Sequence, residues 1–522
     1  MNRLNPTLIY ALLILALPWS GCKTNVSPRS LTGEETTKES LDDFVFNVQH
    51  AYSIPGLAIG IVKDGATYYK TAGESQLPQR HSFTDSTIFF TGNLSELIVS
   101  TATMKLVESG KIQLDDPVVK HLSYFKTGGD RYHTITIRHL LTHTSGIAHH
   151  AATWDLPNED ENALELTTRS VASQEPEFKI PGSQVKRSPY NYDILADLIS
   201  KVSGQSFEEY VKQAVFIPLG MDHSTFYLKD VPATRLALPH KIINWLTYAV
   251  AKEETYPYNR EHAGSAGFHT SIKDITAWMS MVLQEGKIAD KSFLRNDLYH
   301  ELINVNYKTG DHYFVGLGWE IEKANDHFIF RKGHRMAGFS ADIVLIPTQH
   351  TGVITVSNIS ADFNPDFIND QIVHYLQGEE LNRPKIPIGI VMGRRFNATE
   401  SLDSAFHLYK LLKQNQQLYN CSLEALSQVG VNFLYRLNNP AKAKEVFSFC
   451  IQEFPSSASA YLNLAEAELL TGDLKHATES LLKAKHLTAD TPDVAARMSY
   501  LEEKLTAQTE NILLTKSNQN QP

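Results

Sequence analysis

Cysteine is nearly absent, with three in 522 residues, and so few exclude a disulfide scaffold. Long apolar runs are also scarce. Only residues 8–17 (LIYALLILAL) form one, so a polytopic membrane protein is excluded. No basic tract occurs. Asp+Glu (58) exceeds Lys+Arg (48), giving a formal charge of −10, and no nucleic-acid partner is expected of such a chain. What is present is globular in kind: 42% apolar and 10% aromatic residues, enough for a large core. At ~150 residues per domain the length suggests two to four domains.

The first residues indicate a compartment. Asn2-Arg3, the ten-residue apolar run and Pro18-Trp19-Ser20-Gly21-Cys22 read as a signal peptide over 1–21, too short to span a membrane. Small residues before Cys22 resemble a bacterial lipobox, with Trp19 a departure from it. That resemblance implies a lipid on Cys22, a membrane anchor and an exported, cell-envelope location, periplasmic or on the outer surface. Residues 22–39 are polar and read as a tether.

Residues 40–385 alternate strand-like and helix-like stretches. Residues 57–63 and 66–71 flank Asp64-Gly65, a hairpin signature. Apolar residues at helical spacing over 94–109 predict a helix ended by Gly110, and 192–202 predict another. Strands are expected at 314–321, 328–331, 342–346 and 352–356. Strands at both ends with helices between predict an α/β or α+β domain: an antiparallel sheet flanked by helices, with a helical subdomain.

Residues 386–418 read as a linker or helix. From 419 to 508 the pattern is all-helical. Ala443, Phe447, Cys450 and Pro455 recur as Ala477, Leu481, Ala484 and Ala489, always 34 residues later. That period resembles the tetratricopeptide (TPR) repeat and implies a surface for a protein partner. Thr491-Pro492-Asp493 opens a further helix, and 509–522 read as a disordered tail.

Six segments in order carry a wider resemblance: 54–58 (IPGLA), 106–118 (LVESGKIQLDDPV), 135–147 (ITIRHLLTHTSGI), 218–221 (PLGM), 264–274 and 316–319. Together they resemble the serine β-lactamase and penicillin-binding-protein superfamily, and among its members class C β-lactamases and related esterases and peptidases. The resemblance implies three reactive elements. A Ser-x-x-Lys at a helix start supplies nucleophile and proton acceptor, a Tyr-x-Asn loop supplies a second proton-transfer group, and a Lys-Thr-Gly or His-x-Gly strand supplies an oxyanion amide.

Counting from the flanking segments puts other residues at each reactive position except the lysine of the third motif. The nucleophile falls on Asn93 and the lysine on Glu96. Tyr-x-Asn becomes Arg187, Ser188 and Pro189, and the third motif becomes Lys332, Gly333 and His334. An amide cannot replace an alkoxide. His334, where the family has glycine, is expected to obstruct substrate approach. Glu96 and Arg187 are expected to pair. With Lys332 beside them one positive charge remains, so Asn93, Glu96, Arg187 and Lys332 form a candidate site for a small anionic or peptidoglycan-like ligand. No catalytic motif is intact, no cofactor is implied, and the His139/His143 spacing lacks the further ligands zinc needs. The leading expectation is therefore a binding protein without serine-hydrolase activity. The alternatives are a working hydrolase using Ser95, or a water activated by Glu96, as nucleophile, and a scaffold in which only the TPR-like repeats matter.

Overall fold

The computed structural model describes residues 40–149, 158–360, 365–382, 384–487 and 492–519. The signal peptide, Cys22 and the tether lie outside the described residues.

After helix α1 (Leu41–Ala51) the chain forms strands β1 (Gly56–Lys63) and β2 (Ala66–Gln76). Asp64 and Gly65 between them both have positive φ, 50° and 81°, which gives the tight turn whose twist suits a two-residue hairpin. The remaining long strands come late: β3 (Glu320–Ala324), β4 (His327–Met336), β5 (Phe339–Ile346) and β6 (Thr351–Ser357). The antiparallel sheet of nine strands runs Tyr307–Lys308, Tyr313–Val315, β3, β4, β5, β6, β1, β2, His81–Ser82. The single strand expected at 314–321 is two strands. Gly318, at φ 87°, makes the break, and its amide donates to the Leu141 carbonyl.

Each face of the sheet carries its own core, as alternation along β1 shows. Ala58 and Val62 face the larger core, and Leu57, Ile59 and Ile61 face the other. Helices α2 (Ser95–Glu108) and α3 (Tyr190–Ser203) pack in the larger core, while α1 and α4 (Pro365–Leu376) cover the second face. Eleven of the fourteen α2 residues are buried, so α2 is surrounded rather than amphipathic. Any charged side chain in its first turn is thereby carried into the interior.

Beyond the sheet domain follow α5 (Ile388–Thr399), α6 (Leu402–Leu412), α7 (Leu423–Val431), α8 (Pro440–Glu453), α9 (Ala458–Leu470), α10 (Leu474–His486) and α11 (Pro492–Gln519). The region expected to be linker or helix, 386–418, is therefore largely two helices, and Met392, Phe396 and Tyr409 share a core with Leu426 and Phe447. The small and large residues of the 34-residue period are buried: Ala443, Phe447 and Cys450 in one core, Ala477, Leu481 and Ala484 in the next. Cys421 and Cys450 are free thiols. Helix α11 continues to Gln519, into the stretch read as a disordered tail. Residues 509–521 contain neither Gly nor Pro to stop it.

A hairpin of the sheet domain, His240–Asn244 and Ala249–Lys252, reaches into these helices. Leu246 enters the α5–α8 core. Asn432 Nδ2 donates to the Trp245 carbonyl at 2.7 Å, and Arg394 Nε donates to the Thr247 carbonyl at 3.0 Å. The Arg436 guanidinium lies 4.3 Å from the Trp245 ring centre. Among the described residues no helix is long and apolar enough to cross a membrane.

Candidate functional site

The site is built where α2 begins, beside β4. A 3-10 turn, Gly92–Leu94, leads into α2, and β4 runs past it. Strand β3 pairs with β4 only from His327 to Arg331. From Lys332 onward that edge of β4 faces the turn, and Asn93 Nδ2 donates to the Gly333 carbonyl at 3.4 Å. The amide at the counted nucleophile position thus tethers the helix start to the strand.

Glu96 lies one turn inside, wholly buried, with three basic groups on its two oxygens. Arg187 Nη2 donates to Oε1 at 2.7 Å. Lys332 Nζ donates to Oε2. His143 Nε2 lies 3.2 Å from the same oxygen. The His143 tautomer follows from its other nitrogen: the Ser188 amide points at Nδ1 from 3.4 Å and Asn191 Nδ2 lies 3.0 Å away. Nδ1 therefore accepts, and Nε2 carries the proton that it donates to Glu96. Ser145 Oγ donates to Asn191 Oδ1 at 2.6 Å, fixing that amide.

Burial by itself raises the Glu96 carboxyl; the charges of Lys332, Arg187 and His143 outweigh it and hold the group well below the usual carboxylate range. Burial lowers His143 below its ordinary value, with Glu96 opposing. One carboxylate thus faces two full cations and a neutral imidazole, leaving one positive charge. Taking such charges out of water offsets much of their attraction.

The structure brings Glu96, Arg187 and Lys332 together, the first two as a direct pair. It also narrows the ligand site expected from the sequence. Glu96 is 0% and Lys332 3% exposed, and each is engaged by the other, so neither is available to a ligand. Asn93 and the 38%-exposed Arg187 are the members that reach solvent. Pro189 is buried and starts α3 as its N-cap. Ser188 is buried as well, and its hydroxyl donates to the Ala148 carbonyl.

Ser95, the alternative nucleophile of the sequence reading, is a buried hydroxyl with both its bonds to backbone groups. It is fully buried, its hydroxyl donates to the Gly92 carbonyl at 2.6 Å, and it accepts from the Phe268 amide at 2.9 Å. These two bonds make it a staple between the helix start and the 268 backbone. His334 points inward. Its ring packs on Phe90, and a Cβ on Gly92 would come within 2.2 Å of it. Gly92, at φ 53°, is the residue type that this contact and this backbone allow. Burial and then Arg187 push the imidazole down to about 4, and neither ring nitrogen has a partner in ordinary hydrogen-bond geometry among the described residues.

His143 is the participant that reading the sequence missed. It sits in the His-Thr-Ser-Gly signature, where packing is the ordinary explanation, and it meets Glu96 only through tertiary approach. Its positive φ of 55° is a local strain that the sequence does not announce.

Comparisons with known proteins agree on the fold. A family profile described as Beta-lactamase matches residues 41–377. Protein flp of Staphylococcus aureus strain MW2 is 27% identical over 351 residues, covering 65% of this chain and 67% of that protein. The putative penicillin-binding protein PbpX of Bacillus subtilis strain 168 is 36% identical over 141 residues, covering 27% of this chain and 33% of its own. The octameric penicillin-binding protein homologue from Pyrococcus abyssi superposes with a TM-score of 0.56 at 23% identity, over 69% of this chain and 81% of that one, a likeness of fold.

Proposed function

The chain belongs to the beta-lactamase family, and from that premise we propose that it is a member without serine-hydrolase chemistry that acts by binding. The observation that carries this reading is Glu96. At the position where the family's lysine would take the nucleophile's proton stands a buried carboxylate held by Lys332, Arg187 and His143. Its preceding partner is Asn93, whose amide bonds to β4. A carboxylate held far below its usual range is a weak base, and an amide nitrogen is no nucleophile. The charge left over at the half-exposed Arg187 supports a small anionic ligand at this cleft. The TPR-like helices supply the surface for a protein partner, and a lipid on Cys22 keeps the chain at a membrane of the cell envelope.

Intact-mass measurement after incubation with a fluorophosphonate and with a reactive penicillin tests the reading. The expected outcome is an unmodified mass with both. A stoichiometric adduct overturns it, and peptide mapping then identifies the serine that carries it.

A further inference from the structure

The ring of His334 stops the cleft. It is 8% exposed and covers Gly92 so closely that a Cβ there would stand 2.2 Å from Nδ1 and 2.3 Å from Cε1 and Cγ. It meets the Phe90 ring edge to face, with 5.4 Å between centres. Since neither nitrogen has a partner in ordinary hydrogen-bond geometry among the described residues, packing is what chiefly holds the ring in. Beside it lies a cavity of about 600 Å³, whose lining His334 shares with Asn93 and Gly333.

The charges around the ring differ by direction. On the protein side Arg187 bears on the imidazole. Lys332, two residues back on β4, is spent on Glu96, and the cluster of Glu96 with Lys332, Arg187 and neutral His143 has one positive charge over. His269 lies across Phe90, 5.6 Å between ring centres, and burial pushes it down to about 4. On the cavity side the sign reverses. Glu320 and Glu322 of β3 and Asp366 and Asp370 of α4 line that space, with Arg331 and Arg335 as its cations. Arg331 is engaged by Asp370. Asp342 of β5, paired in register with Gly333, is pushed up to about 7 by burial, so in acid the carboxylates of β3 and α4 carry the cavity's negative charge.

A neutral imidazole suits the inward place. An imidazolium does not, because burial and Arg187 both oppose its charge, whereas the cavity offers it water and carboxylates. The inward ring takes a proton only near 4, against an ordinary 6.5. Each pH unit below 6.5 therefore favours the outward position about tenfold more, until the inward ring protonates as well. We propose that His334 is an acid-released plug: neutral, it closes the cleft over Gly92; protonated, it swings into the acidic cavity and opens it. The proposal rests on reading this cleft as a ligand site and adds its regulation, since the departing ring makes room beside Gly92 and Asn93 and a ligand is admitted in acid.

Hydroxyl-radical footprinting of the purified full-length chain at pH 7 and pH 5, read by peptide mass spectrometry, reports the cover on Phe90, which is 4% exposed with the plug in place. Oxidation of Phe90 is expected to rise about threefold or more at pH 5. His334→Phe cannot charge and should keep Phe90 protected at both values, while His334→Gly sets the level of the open cleft. Circular dichroism checks that each chain is folded at each pH. Equal protection of Phe90 in the unaltered chain at the two values overturns the proposal. So does a rise that His334→Phe shares, which assigns the change to His269, or unfolding before Phe90 is uncovered. The absence of hydrolase chemistry is decided apart from this, by the intact-mass assay.

Discussion

Glu96→Gln keeps the size of the side chain and withdraws the one negative charge that faces Lys332 and Arg187. Breaking a buried ion cluster from one side leaves the other side uncompensated, a loss of about 3–5 kcal/mol. Lys332→Met added to Glu96→Gln should recover part of that loss, because the stranded buried ammonium is removed with it. Urea denaturation of the two variants reads both values. Arg187→Gln should cost less, since its side chain is 38% exposed and water can replace the bond. Acid acts on other residues. Burial pushes His334 and His269 down to about 4 from the ordinary 6.5. Between those values the unfolded chain binds protons that the folded chain refuses, so stability falls as pH is lowered through the window. His334→Phe should spare one proton's share, about 2 kcal/mol between pH 6.5 and 5 at ~1.36 kcal/mol per unit. Denaturation midpoints at the two pH values test it. Below pH 4.5 the depressed Glu96 carboxyl adds a further loss in the same direction.

Among elements, the hairpin 240–252 has the most consequence for its size. Gly393 of α5 lies so close that a Cβ there would stand 2.0 Å from the Leu246 carbonyl oxygen. Gly393→Ala should lift the hairpin off the helices. Limited proteolysis is then expected to cut within 386–440 first, while the sheet domain keeps its own resistance. Legibility also differed by element. The β1–β2 turn was readable because Asp-Gly is a local instruction, and α2 because its apolar spacing is regular. Glu96 and Arg187 could be paired by counting because the segments around each motif keep their order. The role of the 240–252 hairpin was not readable: Trp245 and Leu246 form no periodic pattern, and their partners lie far along the chain. His143 escaped for a related reason, being 47 residues from Glu96. Helices α5 and α6 were read as a linker or helix because they stand outside the 34-residue period, although they share its first core.

For the whole molecule, the proposed reading requires the cleft positions to act together. Asn93→Ser adds a hydroxyl but leaves Glu96 clamped and Arg187 and Pro189 unchanged. No penicillin adduct is expected from that single change in an intact-mass assay. A stoichiometric adduct would mean that the rest of the cleft had remained competent.

The hairpin's embrace of the helices also sets an order of manufacture. Trp245 is synthesised 187 residues ahead of Asn432, which holds its carbonyl. Until residue 388 is made, Leu246 has none of its later cover from α5 and α8, and the nascent sheet domain presents an unfinished apolar edge to whatever meets it. The residues after 385, about a quarter of this sequence, thus complete the surface of those before them, and a chain stopped near residue 385 is expected to stick rather than to work as a smaller protein.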